Sequence, residues 1–155
     1  IGGKALYFDP NHGNGMVTGI RTIGKTTYML SKDGKRCGWQ RANGKDYYFD
    51  PNYGCGMVTG IRTIGKTTYL LSKDGKKTGW QYLGGKKFYF DPDFGGGMVT
   101  GLRKVGNAYY YFRPKASAPG AKDRGAAVVN TTMRIGDKIY TFNKNGAAVK
   151  IVPAK

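Results

Sequence analysis

The sequence predicts an all-β chain, a solenoid of stacked β-hairpin repeats, and three regularities predict it. The segment Gly-Met-Val-Thr-Gly occurs at 15–19, 56–60 and 97–101, so the chain repeats itself every 41 residues. Phe8, Phe49 and Phe90 keep that interval, as do Trp39 and Trp80. Within each 41-residue unit a shorter ruler appears, a glycine followed four residues later by tyrosine. A fixed period of this size is the signature of a chain built from stacked supersecondary units.

The shorter ruler marks the hairpins in order: Gly3/Tyr7, Gly24/Tyr28, Gly44/Tyr48, Gly65/Tyr69, Gly85/Tyr89, Gly106/Tyr110 and Gly136/Tyr140. In each, the glycine lies between two short alternating runs, as in Trp39-Gln40-Arg41-Ala42 before Asn43-Gly44 and Tyr47-Tyr48-Phe49 after it. Asn-Gly, Gly-Lys and Gly-Asp pairs supply the positive φ angles that tight hairpin turns need. About seven hairpins follow, the first truncated, grouped into 41-residue double units. A lone hairpin is barely stable in water, so each must bury a face against its neighbours. The tyrosines at the fourth position are read as the spine of that stack. Residues 113–128, with Pro114, Pro119 and several alanines, break the rhythm and are expected as a long surface loop between the last two hairpins. Residues 1–155 are read as one module. The first residues fall in the middle of the pattern, so a longer parent chain is expected, with any export signal upstream.

Composition agrees with a thin, aromatic-rich structure. The chain has 26 glycines and 12 tyrosines, and only 39% of its residues are hydrophobic. No apolar run approaches the roughly 20 residues that cross a bilayer, so membrane insertion is not expected. The formal charge is +17, from 26 Lys and Arg against nine acidic residues, all aspartate. That balance favours polyanionic surroundings through attraction that salt screens. It suits teichoic acid, acidic glycan, nucleic acid or anionic membrane alike. No single-strand platform or groove-reading helix is recognisable, so nucleic acid is not the expected partner.

The carboxylates have structural places. Asp9, Asp50 and Asp91 recur in Phe-Asp-Pro, Asp33 and Asp74 in Lys-Asp-Gly, and Asp137 follows a turn glycine, positions that turns favour. Asp46, Asp93 and Asp123 stand without an evident partner. No pair of carboxylates at glycosidase separation and no oriented histidine triad can be assembled, so no catalytic residue is assigned. The single histidine, His12, sits in a variable loop, and the spacing of Cys37 and Cys55 matches no zinc motif. No metal or cofactor is expected. The two cysteines flank one hairpin, one before its first strand and one after its second, which leaves a disulfide open to them and would suit an extracellular protein.

The runs Gly38-Trp39-Gln40, Asn43-Gly44-Lys45 and Tyr47-Tyr48-Phe49-Asp50, with Gly56-Met57-Val58-Thr59-Gly60, and their counterparts from Gly79-Trp80-Gln81 to Gly97-Met98-Val99-Thr100-Gly101, resemble the cell-wall-binding repeat superfamily. Its members include choline-binding modules, glucan-binding repeats and the C-terminal repeats of clostridial toxins. The resemblance covers nearly the whole chain except 113–128. It implies a choline-binding-module-like hairpin solenoid on a secreted, cell-wall-associated Gram-positive protein. In the choline-binding members a cation sits in a cage of aromatic rings with a methionine alongside. By position, the resemblance points to Trp39 and Trp80 as one wall, Tyr48 and Tyr89 with Tyr69 and Tyr110 of the following hairpins as another, and Met57 and Met98 near the third.

Two departures bear on the ligand. The aromatic that usually follows the turn is Asp46 in one unit and Lys87 in the next, and Trp alternates with Ile20, Ile61 and Leu102. The methionine expected before each Gly-Trp is replaced by Lys35 and Lys76, which sets a cation beside each tryptophan and opposes choline. A sugar stacked on tryptophan, with lysines bonding hydroxyls, phosphate or carboxylate, fits better. The expected function is therefore a non-catalytic module that anchors a secreted protein to cell-wall polysaccharide, teichoic acid or another glycan. The rival readings are host-glycan or receptor-binding repeats of toxin or adhesin type, and a choline-binding module. Neither the polymer nor an oligomeric state is specified by the residues.

Overall fold

Alternating runs bounded by positive-φ turns fold, in the computed structural model, into seven small antiparallel sheets among the described residues. The structure describes residues 6–10 and 13–154; His12 and Gly3 lie outside them. The sheets are, in order, β1 (Phe8–Asp9) with β2 (Gly15–Met16); β3 (Gly19–Ile23), β4 (Thr26–Ser31) and β5 (Gly34–Arg36); and β6 (Gly38–Ala42), β7 (Lys45–Asp50) and β8 (Gly56–Met57). Next come β9 (Gly60–Ile64), β10 (Thr67–Ser72) and β11 (Gly75–Lys77), then β12 (Gly79–Leu83), β13 (Lys86–Asp91) and β14 (Gly97–Met98). The last two are β15 (Gly101–Val105) with β16 (Ala108–Phe112), and β17 (Thr131–Ile135), β18 (Lys138–Phe142) and β19 (Ala148–Pro153). Among the described residues there is no α-helix. The chain groups into two compact units, an N-terminal one up to Ile64 together with Tyr69–Lys77, and a C-terminal one of Gly65–Thr68 with Thr78 onward.

Two turn chemistries alternate. In the tryptophan hairpins both turn residues have positive φ, Asn43 and Gly44 at 49° and 73°, Gly84 and Gly85 at 55° and 72°. In the hairpins led by Ile20 and Leu102 only the first turn residue does, Gly24 at 62° and Gly106 at 60°. The difference moves the register by one residue. Tyr48 faces Trp39 and Tyr89 faces Trp80, whereas Tyr28 faces Arg21 and Tyr110 faces Arg103. Because side chains alternate across a strand, a one-residue shift turns a tyrosine to the other face of its hairpin.

The corners follow the expected Asx turns at Asp50 and Asp91, which accept from the backbone N–H of Asn52 at 2.8 Å and Asp93 at 3.0 Å. Each opens a short 3-10 turn, Pro51–Tyr53 and Pro92–Phe94. At the Lys-Asp-Gly corners the serine hydroxyl makes the turn. Ser31 accepts from Asp33 N–H at 3.2 Å and donates to the Gly34 carbonyl at 3.1 Å, and Ser72 does the same one unit later.

The spine is mainly phenylalanine: Phe49, Phe88, Phe90, Phe112 and Phe142 are the largest fully buried side chains, and of the fourth-position tyrosines among the described residues only Tyr140 is buried. Each phenylalanine contributes on the order of 2 kcal/mol by leaving water. Phe49 and Phe90 follow Tyr48 and Tyr89 by one position, so strand alternation buries the ring and leaves the tyrosine on the opposite face. Within the N-terminal unit, successive hairpins approach closely enough that a Cβ on Gly75, at φ 102°, would come within 2.9 Å of the Cβ of Lys45. Cys37 and Cys55 form a disulfide across one hairpin, with Cα atoms 4.8 Å apart. Closing that 18-residue interval stabilises the unit by about 3 kcal/mol on the chain-entropy argument.

Residues 113–128 carry no strand, but they are not simply surface. Ala126, Ala127 and Val128 are buried. Ala127 donates its N–H to the Lys87 carbonyl at 2.8 Å and bridges Phe112. Val128 joins Tyr140 and Phe142 in a core cluster. The small side chains are what allow this segment to press against strands.

Candidate functional site

Two aromatic cages are built on the tryptophan hairpins, one in each unit. In the first, the Trp39 ring lies 5.3 Å from Tyr48 across its own hairpin and 5.0 Å from Tyr69 of the next, both edge-on. In the second, Trp80 lies 5.0 Å from Tyr89, 4.7 Å from Tyr110 and 5.9 Å from Phe112. Trp39 and Tyr48 share a face because they are register partners. Tyr69 and Tyr110 arrive from the following hairpin because the one-residue shift points them there. Burial, followed by the nearby Asp91 and Asp93 charges, pushes the Tyr89 hydroxyl above its usual range, so it stays a neutral donor at any physiological pH.

Each cage already contains an ammonium group. Lys76 Nζ stands 5.2 Å from the Trp39 ring and 5.8 Å from Tyr69, and Lys87 Nζ stands 3.9 Å from Trp80 and 5.0 Å from Tyr110. These distances fall within the reach at which a cation is attracted to a π face. Lys76 is further held by Asp46 at 3.1 Å, and only 17% of its side chain is exposed. Arg41 completes that group, 3.5 Å from Asp46. Among the described residues Lys87 has no carboxylate at its head and donates instead to the Asn145 carbonyl at 3.3 Å.

The lysines are not arranged as their place in the sequence suggests. Lys35 does not reach Trp39; its Nζ sits 4.1 Å over Tyr28. Lys76 serves Trp39 rather than Trp80. Both lie on third strands that fold back on their own hairpin, Lys35 opposite Leu30 and Lys76 opposite Leu71. That places Lys76 on the face of Tyr69, which looks back to the preceding tryptophan. The methionines do not form a third wall on their own hairpins. Met57 pairs with Phe49 and Met98 with Phe90, on the face opposite the tryptophan.

Asp46 and Lys87 were not among the expected site residues. The signal for them is period two: each lies two positions before a cage tyrosine, hence on its face. Asp46 and Asp123, which show no partner in the sequence, both have one. Asp123 pairs with Arg113 at 3.5 Å and accepts from Ser117 N–H at 2.9 Å. Among the described residues no group of three His, Cys, Asp or Glu side chains gathers to hold a metal. Exposed aromatics also mark the surface, Tyr53, Tyr82 and Phe94 being 60%, 69% and 67% accessible.

The comparisons with known proteins fall on the same hairpins. A family model described as putative cell wall binding repeat matches residues 38–52 and 78–93, the two tryptophan hairpins. No curated protein sequence matches the chain. Among solved structures, choline binding protein F from Streptococcus pneumoniae is 31% identical over 94% of this chain and 44% of that one, with a TM-score of 0.73. The same protein in the presence of a peptidoglycan analogue, a tetrasaccharide-pentapeptide, matches at 29% identity over 88% and 42%, with a TM-score of 0.71. The modular autolysin LytC from Streptococcus pneumoniae shares the fold at 19% identity over 98% and 34%, with a TM-score of 0.67. The chain thus spans less than half the length of each of these proteins. In its hairpin fold, its matched tryptophan repeats and these relatives, the chain is similar to the cell-wall-binding repeat superfamily.

Proposed function

We propose that the chain is the wall-attachment part of a secreted Gram-positive protein, a non-catalytic module that holds a wall polymer through several weak contacts along its hairpins. Repeated weak sites reach useful avidity when they engage one polymer together. The family match on both tryptophan hairpins supports the wall, and the charge of +17 favours an anionic polymer such as teichoic acid. One observation directs the ligand reading: the chain's own ammonium fills both cages. A quaternary ammonium ligand would have to displace a lysine of like charge. Sugar rings against Trp39, Trp80 and the exposed aromatics, with lysines meeting phosphate or carboxylate, require no such displacement.

Retention on purified cell walls, with choline, teichoic acid and soluble glucan as competitors, tests this reading. Retention released by teichoic acid or glucan, but not by choline, is the expected result. Tryptophan emission should stay unchanged with choline at tens of millimolar in the native chain and respond once Lys76→Met and Lys87→Met are introduced. Absence of retention on any wall sinks the anchoring role, and a clear quench of the native chain by choline sinks the argument from the lysines.

A further inference from the structure

A second site lies away from the cages. The C-terminal unit has a cavity of about 410 Å³ between the turn of the β9–β10 hairpin, the corner after β13 and strand β15. Its lining includes Lys66, Arg103 and Arg124 against one carboxylate, Asp91, which leaves positive charge in excess. We propose that this cavity binds an oxyanion, a phosphate or carboxylate group, carried on a small polar molecule or a polymer.

Three features make the cavity a prepared site. Arg103 is held in place by Asp91, which is buried, and by stacking 5.0 Å from the Phe94 ring. Arg124 is held from the other side, donating to the Pro114 carbonyl at 3.2 Å and to Thr68 Oγ1 at 3.3 Å. A guanidinium carries five donors, so each arginine keeps several for a ligand while its position is fixed. Lys66, at the exposed hairpin turn, adds a third positive charge. The volume lies in the range of small-molecule pockets and exceeds what a bare phosphate needs.

The equivalent corner one repeat earlier shows that the cavity is not a generic product of the repeat. There, a Cβ on Gly56 would meet the Tyr53 ring at 2.6 Å and Thr26 Cγ2 at 2.7 Å, so the tyrosine covers the space. Arg62 turns away and donates to the Ile61 carbonyl at 3.1 Å. In the C-terminal unit Arg103 turns inward to Asp91, and the Phe94 ring follows it. A Cβ on Gly97 would meet Thr67 Cγ2 at 2.8 Å, and the only part of Phe94 near it is the backbone carbonyl. The repeat has no counterpart of Arg124, which is supplied by the irregular 113–128 segment. That segment thereby gains a role beyond joining two hairpins.

The test is an amide chemical-shift titration of the native chain with inorganic phosphate and, separately, glucuronate, each against chloride at equal ionic strength. Saturable shifts at Thr67, Gly97 and Thr100 with phosphate alone assign a phosphoryl site, and with glucuronate a carboxylate site; both support the proposal. Arg124→Gln and Lys66→Gln should each weaken the interaction, about tenfold for the arginine given the strength of charge-assisted bonds. Lys144→Gln, an exposed lysine outside the cavity, should leave it within about twofold, the size expected of a screened remote charge. Shifts no larger than those with chloride, or equal weakening by all three variants, overturn the proposal. Because the probes are small ions, this result is independent of whether the chain is retained on walls.

Discussion

The two cages occupy equivalent repeats and reach the same end by opposite charges at the same position. The first carries Asp46 two residues before its tyrosine, and Asp46 imports a cation, Lys76, from the following hairpin. The second carries Lys87 at that position, which enters the cage itself. Its counterpart of Lys76 would be Ser117, in the irregular segment where no third strand exists, so no lysine can arrive from the next hairpin. The first cage is held by a side-chain ion pair, the second by a backbone carbonyl and by the segment that covers Phe112.

Removing the tryptophans should separate the cages most. Trp80→Ala is expected to destabilise its unit by about 3 kcal/mol, the range for losing a large aromatic from a packed site. Trp39→Ala should cost less, since Trp39 is 38% exposed and lacks the extra Phe112 contact. Urea unfolding of each variant, followed by the emission of the remaining tryptophan and by circular dichroism, measures both. Equal losses would remove the distinction.

The lysines give the next largest effect. Lys76→Met leaves Asp46 with only the exposed Arg41 and should cost about 1 kcal/mol, whereas Lys87→Met, which strands no carboxylate, should cost less. Adding Asp46→Asn to Lys76→Met should recover most of the loss. If the double variant is no more stable than the single one, the ion pair is not what holds the first cage.

Acid should produce the smallest difference. Hydrogen bonds from the Ser117 hydroxyl and backbone N–H, aided by Arg113, hold the Asp123 carboxyl below its ordinary 3.8. A carboxylate with a depressed folded pKa stabilises above the unfolded value and loses that contribution as pH falls through the folded one. The 113–128 segment should therefore loosen below about pH 4, perturbing Trp80 emission in a Trp39→Phe chain. Asp123→Asn should abolish the pH dependence.

The sequence made the hairpins legible because turn glycines and aromatic alternation are local and recur. It also marked Trp39 and Trp80 with their tyrosines. It did not yield the faces. The Gly-to-Tyr spacing is the same in both hairpin types, yet the turn begins at Gly24 in one and at Asn43 in the other, and that single residue decides whether tyrosine meets its own tryptophan or the neighbour's. The methionines, taken for a third wall, fall behind their own hairpins for the same reason, since their register with Phe49 and Phe90 depends on strand pairing.

By itself, then, the sequence determined the repeat, the all-β class, the turn positions and the excess of positive charge, all properties of short stretches of chain. Only the tertiary structure decided which lysine enters which cage, that phenylalanine forms the spine, and that a loop arginine completes a cavity. Those outcomes depend on contacts between hairpins, and no local pattern encodes which of two faces a strand presents to its neighbour.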